Sequence, residues 1–134
     1  MTRAMLLPMP TASAQKISLK NHMALVALRQ GQGNLDLAGG LLKTIFLAYY
    51  LVDEQTLSIH GAVFASGEST LRVLINCAPS DGDWRLDEAQ CQPIEAVVNL
   101  HDEQLAWLPT YLMEGARRRL TSACDRGNFP NLSL

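Results

Sequence analysis

At 134 residues the chain has room for one domain, and 48% hydrophobic against 18% charged residues gives it the means to fill a core, which excludes a disordered chain. Three cysteines, Cys77, Cys91 and Cys124, are odd in number and widely spaced, which excludes the disulfide framework of a small secreted domain and points to a reducing, cytoplasmic compartment. The formal net charge is only −2, yet it is segregated along the chain. Residues 1–50 set Arg3, Lys16, Lys20, Arg29 and Lys43 against Asp36. Residues 51–114 set Arg72 and Arg85 against eleven acids, Glu88, Glu95 and Glu103 among them, and residues 115–134 set Arg117, Arg118, Arg119 and Arg126 against Asp125. Such charges either mix on solvated helix faces or form a bipolar surface that steers a partner.

Residues 1–14, with Pro8 and Pro10, read as an extended leader whose Met5, Leu6, Leu7 and Met9 need a groove, supplied by a partner or by the chain itself. The apolar run before Pro8 is too short for an export signal, and no stretch reaches the roughly 18 uncharged apolar residues of a membrane span. Ser18 offers an N-cap, and Leu19, Met23, Val26, Ala27 and Gln30 follow at helical spacing until Gly31 and Gly33, predicting a helix over 18–30. Asn34 caps a second helix in which Leu35, Leu37, Leu41, Leu42, Ile45, Phe46, Leu47, Tyr49, Tyr50 and Leu51 leave almost no polar face, so this helix belongs at the centre. Gly39 and Gly40, each costing about 1 kcal/mol against alanine, imply a close helix crossing.

Residues 54–78 fit two patterns. A helix puts Ile59, Val63, Gly67, Thr70, Leu71 and Leu74 on one stripe and ends at Pro79, whereas a hairpin over 56–77 alternates Leu57, Ile59, Val63 and Ala65 against Leu71, Val73, Ile75 and Cys77. The helix is the favoured reading, because an isolated ribbon among helices needs a third element to cover it. Ser80 to Asp83 make a loop, Trp84 and Leu86 anchor on the core, and Asp87 to Gln90 have the form of a capping box. Beyond Pro93, which kinks or restarts the helix, Ile94, Val97, Val98, His101, Leu105 and Leu108 form a stripe. The last helix runs from Pro109 through Leu112, Met113, Ala116, Leu120 and Ala123, and residues 127–134 read as a loose tail after a single helical domain over 15–126.

No motif carries chemistry. His22, His60 and His101 do not pair with cysteines at ligand spacing, there is no C-x-x-C, H-x-x-x-H or H-E-x-x-H, and neither a phosphate loop nor a G-x-S-x-G elbow is present. Asp81, Asp83 and Asp87 do not make a calcium loop, because Leu86 and Gln92 stand where that loop needs glycine and glutamate. His101 falls on the apolar stripe, as a satisfied core histidine does. Arg117, Arg118 and Arg119 fan around the last helix, where the helix dipole favours cations without any partner. A pI near 5.8 and 6% aromatic residues fall short of a nucleic-acid footprint, so nucleic acid stands only as the alternative partner.

Five stretches, Leu7-Pro8-Met9-Pro10, Asn21-His22-Met23-Ala24-Leu25 through Gly31-Gln32-Gly33, Leu47-Ala48-Tyr49-Tyr50-Leu51, Trp84-Arg85-Leu86 and Leu100-His101-Asp102-Glu103-Gln104-Leu105, carry a resemblance. Over Ser18 to Leu120 the chain resembles small helical proteins of proteobacterial mobile elements, often labelled Fis-like regulators. The label implies a C-terminal helix-turn-helix, although Pro109 stands where the short glycine turn would be. The mobile-element context implies a protein that disables or redirects a host or competitor complex.

The expectation is an all-α, compact antiparallel bundle of four to five helices, with an α+β fold carrying the 56–77 hairpin as the alternative. The expected function is non-enzymatic protein binding without metal or cofactor, as a mobile-element accessory or inhibitor. Arg117, Arg118, Arg119, Glu88, Glu95, Glu103, Leu6 and Leu7 are the expected contact residues.

Overall fold

The computed structural model describes residues 2–132; Met1 of the expected leader and Ser133 and Leu134 of the expected tail lie outside them. Among the described residues there are five α-helices and no strand: α1 (Thr11–Arg29), α2 (Leu35–Leu51), α3 (Glu54–Asp81), α4 (Glu88–Trp107) and α5 (Thr110–Arg126), preceded by a 3-10 turn at Arg3–Leu6. The fold is all-α, and the hairpin alternative falls.

The arrangement follows from the composition of α2. From Ala38 to Leu51 only Lys43 is exposed, so the helix needs cover on nearly every side, and α1, α3, α4 and α5 all pack against it. Helices α1 to α4 close a ring, α1 against α2, α2 against α3, α3 against α4 and α4 against α1, and α2 also touches α4 across the middle. Arg29 near the end of α1 meets Glu88 and Glu95 in the first half of α4, while His22 meets Asp102 in the second half, so these two helices run antiparallel. Ala48 of α2 and Gln104 of α4 meet near the same end, as parallel diagonal neighbours should. Fully buried Phe46, Phe64, Leu25, Leu28, Leu41 and Ile45 lead the core, each contributing about 1.5–3 kcal/mol by burial.

The caps read at Asn34 and Asp87 form and Asp53 adds a third, whereas Ser18 lies inside α1 and caps nothing. Asn34 accepts the Leu37 N–H at 2.9 Å, Asp53 accepts that of Thr56 at 2.6 Å, and Asp87 and Gln90 exchange both bonds of a capping box at 2.8 and 2.9 Å. Leu86 is buried, with Trp84 packed against the core.

Several boundaries differ from the expectation. α1 begins at Thr11, so the end of the expected leader is helical. Its apolar stripe is not its inner face: Leu19, Met23 and Val26 are 60%, 62% and 45% exposed, while Asn21, Ala24, Leu25 and Leu28 are buried. Asn21 belongs inside because its Oδ1 accepts the Thr44 hydroxyl of α2 at 3.1 Å. α3 continues through Pro79 to Asp81, and Gly82, at φ 72°, terminates it in the left-handed region that suits glycine. α4 likewise continues through Pro93. Pro109 precedes α5 as its N-cap rather than starting it. The tail is docked: Leu132 is buried, and the Phe129 ring lies 4.9 Å from that of Phe46, with the Arg72 guanidinium over both.

The close helix crossing also lies elsewhere. A methyl group at Gly39 or Gly40 would meet nothing within 4 Å, whereas one at Gly67 would come within 3.0 Å of Ile45 Cδ1 and 3.7 Å of Ile94 Cγ1. Gly67 is therefore where α3 settles between α2 and α4. Gly39→Ala and Gly40→Ala should each raise stability by about 1 kcal/mol, the helix-propensity difference without steric cost, seen as a higher urea midpoint at unchanged slope.

Candidate protein-docking surface

The chain turns from α4 to α5 through Leu108 and Pro109, and the first residues are fastened to this corner. Pro8 pairs with Pro109 in an isolated antiparallel bridge, and the Leu7 carbonyl accepts both the Thr110 N–H at 2.9 Å and the Thr110 hydroxyl at 2.8 Å. The expected groove for Leu6 and Leu7 is thus supplied by the chain, but only for their backbone. Their side chains remain 56% and 54% exposed, beside Trp107 at 79%, Tyr111 at 38% and Leu112 at 39%. Five of the large exposed apolar side chains therefore stand within a few residues of one backbone clip. A concentration of this kind, with tryptophan the most exposed member, marks interaction surfaces.

Trp107 also borders a groove of about 240 Å³ lined by the end of α2 (Leu51, Val52), the start of α3 (Asp53, Thr56) and the last turns of α4 (Leu100, Glu103, Gln104, Leu108). No lysine or arginine lines it. Asp53, whose carboxyl is held below its ordinary value by the Thr56 N–H, stays ionised there.

The structure separates the expected contact residues into two groups. Leu6 and Leu7 stand at the clip, and Glu103 lines the groove beside Trp107. Glu88 and Glu95 lie toward the other end of α4, roughly 12–22 Å from Glu103 at 1.5 Å per residue, where both bind Arg29 and tie α1 to α4. Hydrogen bonding to Glu95 raises the Arg29 guanidinium further above its already high value. The arginine triplet is also largely spoken for. Arg117 pairs with Glu114 at 2.9 Å, the Arg119 guanidinium covers the Tyr50 ring at 4.3 Å, and Arg118 alone of the three makes no ion pair or ring contact. Trp107, Tyr111 and Leu112 were missed by sequence reasoning, although a signal existed: Trp107 falls off the stripe that runs through Leu105 and Leu108.

Among the described residues no group of three or more His, Cys, Asp and Glu side chains is arranged to hold a metal. His22 Nε2 and Asp102 Oδ2 lie 2.7 Å apart, and Ser18 stands one turn before His22 with no hydrogen bond between its hydroxyl and the imidazole. His101 is a core residue. Gln104 Nε2 donates to the Ala48 carbonyl at 3.0 Å, which turns its Oε1 toward the imidazole, and His101 Nδ1 donates to that oxygen at 2.8 Å. A second apolar surface, the α1 stripe of Leu19, Met23 and Val26, carries no aromatic side chain. No helix among the described residues is long and apolar enough to cross a membrane.

Compared with known proteins, the chain matches no family model, no curated protein and no solved structure.

Burial holds the His101 imidazole below its ordinary value, outweighing the Gln104 hydrogen bond and the Asp102 charge. The unfolded chain, with a histidine pKa near 6.5, therefore binds this proton first. Stability is full above about pH 6.5 and is lost as the pH falls from there toward the lower folded value. Urea midpoints at pH 7.5 and 5.5 should show a drop in the parent that is smaller in His101→Gln.

Proposed function

We propose that the protein is a non-enzymatic protein-binding module that docks through the α4–α5 corner. One observation carries the reading: a tryptophan left 79% in water at the end of a packed helix, with Leu6, Leu7, Tyr111 and Leu112 also exposed within a few residues of the same backbone clip. An isolated exposed leucine needs no explanation, but five large apolar side chains around one backbone clip cost solubility and acquire value when a partner covers them. Glu103, in the groove beside Trp107, and the exposed Arg118, two turns into α5, supply charges of both signs to orient an encounter. Following the mobile-element resemblance, the partner is a host or competitor protein complex in the cytoplasm, and the module is an accessory or inhibitor of it. The alternative, a nucleic-acid-binding regulator, draws less support, because two of the three clustered arginines are engaged within the chain. α5 also packs on α2 and the 3-10 turn rather than across α4, as a helix-turn-helix would require.

Affinity purification with the wild type should recover a stoichiometric protein partner that Trp107→Ala, with an unchanged thermal melt, binds at least about 30-fold more weakly, the loss expected of an interface hot spot. Glu103→Lys and Arg118→Glu should act mainly on the association rate. A partner held equally by Trp107→Ala, or none at all, defeats the reading.

A further inference from the structure

Resting on that docking reading, we infer that the groove beside Trp107 receives one cationic side chain, an arginine or lysine flanked by apolar residues, from the partner protein. Its size fits this occupant: about 240 Å³ is below the roughly 300 Å³ at which small-molecule pockets begin, and suits a single long side chain. Leu51, Val52, Leu100 and Leu108 give it apolar walls that match the methylene stem of such a residue.

Its electrostatics select the sign of the head group. The ends of α2 and α4 both face the groove, and neither helix has a basic residue in its last turn to neutralise the negative end of its dipole. The opposing positive end, that of α3, is already covered by its Asp53 cap and by Glu54 in its first turn. Among the described residues Glu103 makes no ion pair or hydrogen bond. A purely apolar segment laid over the groove would strip water from this carboxylate without replacing its partners, and an acidic one would add repulsion. A guanidinium or ammonium group satisfies Glu103 and lies against the tryptophan ring, the strongest of the aromatic cation acceptors.

The test is selection of a phage-displayed library of random twelve-residue peptides on the full chain, with Trp107→Ala and Glu103→Lys run in parallel. Both residues are exposed, so each variant keeps its fold. The expected result is enrichment of arginine or lysine next to apolar residues on the wild type, loss of that enrichment on both variants, and a roughly tenfold weaker dissociation constant for a selected peptide on Glu103→Gln. Selected peptides that depend on Trp107 but are acidic or purely apolar would overturn the cation assignment while leaving the docking corner standing. Absence of any Trp107-dependent peptide would overturn both.

Discussion

Helix α2 presents apolar side chains around almost its whole circumference, and excluding water from that surface is the requirement from which the architecture follows. A helix with one apolar stripe is satisfied by one neighbour or two, but α2 needs four, and all four other helices touch it. Even its single exposed residue between Ala38 and Leu51, Lys43, fits this geometry, because a ring of neighbours leaves only a narrow strip open to water. The ring closes when α4 returns antiparallel to α1.

Burial alone would allow these helices to slide or rotate, and a few polar contacts remove that freedom. The Thr44 hydroxyl of α2 shares its one proton between Asn21 Oδ1 of α1 and the Gly40 carbonyl, each 3.1 Å away, while Asn21 Nδ2 is buried without a partner among the described residues. Gln104 of α4 bridges His101 and the Ala48 carbonyl. In a low-dielectric interior each of these groups is costly if left unpaired, so a shifted register would carry a penalty that apolar packing alone does not impose. On the rim, Arg29 does comparable work by holding two carboxylates of α4 at once.

How far the sequence could be read depended on whether a signal was local. The caps at Asn34 and Asp87 and the central place of α2 are encoded within a few residues of where they act, and they were legible. For residues 54–78, helix and strand periodicities both fitted; Gly67 between Ile45 and Ile94 favours the helix for a reason that needs the neighbours in place. The inner face of α1 was misread because its core side carries Asn21, a polar residue whose partner lies on another helix, while Leu19, Met23 and Val26 imitate a core stripe in water. The surface proposed for docking was only partly legible. Leu6, Leu7 and Glu103 were named from the sequence, but the pairing of Glu88 and Glu95 with Arg29 could not be read there, because Arg29 is about sixty residues away in sequence. Trp107 fell outside the stripe and received no weight, although an aromatic side chain off the stripe is the local sign of an outward-facing anchor.

The last helix stands apart from the ring. α5 leans on α2 and on the Arg3–Leu6 turn, and its other tethers are the Leu7–Thr110 clip, the Arg119–Tyr50 stack and the Phe129 ring beyond its end. Lifting it away would expose one flank of α2 yet leave the four-membered ring closed. Because the apolar corner joins Trp107 on the ring to Tyr111 and Leu112 on the removable piece, any body that covers all three would also latch α5 shut. Recognition at that point would therefore tighten the whole fold, and amide protons along α5 would report occupancy of a surface most of them never touch.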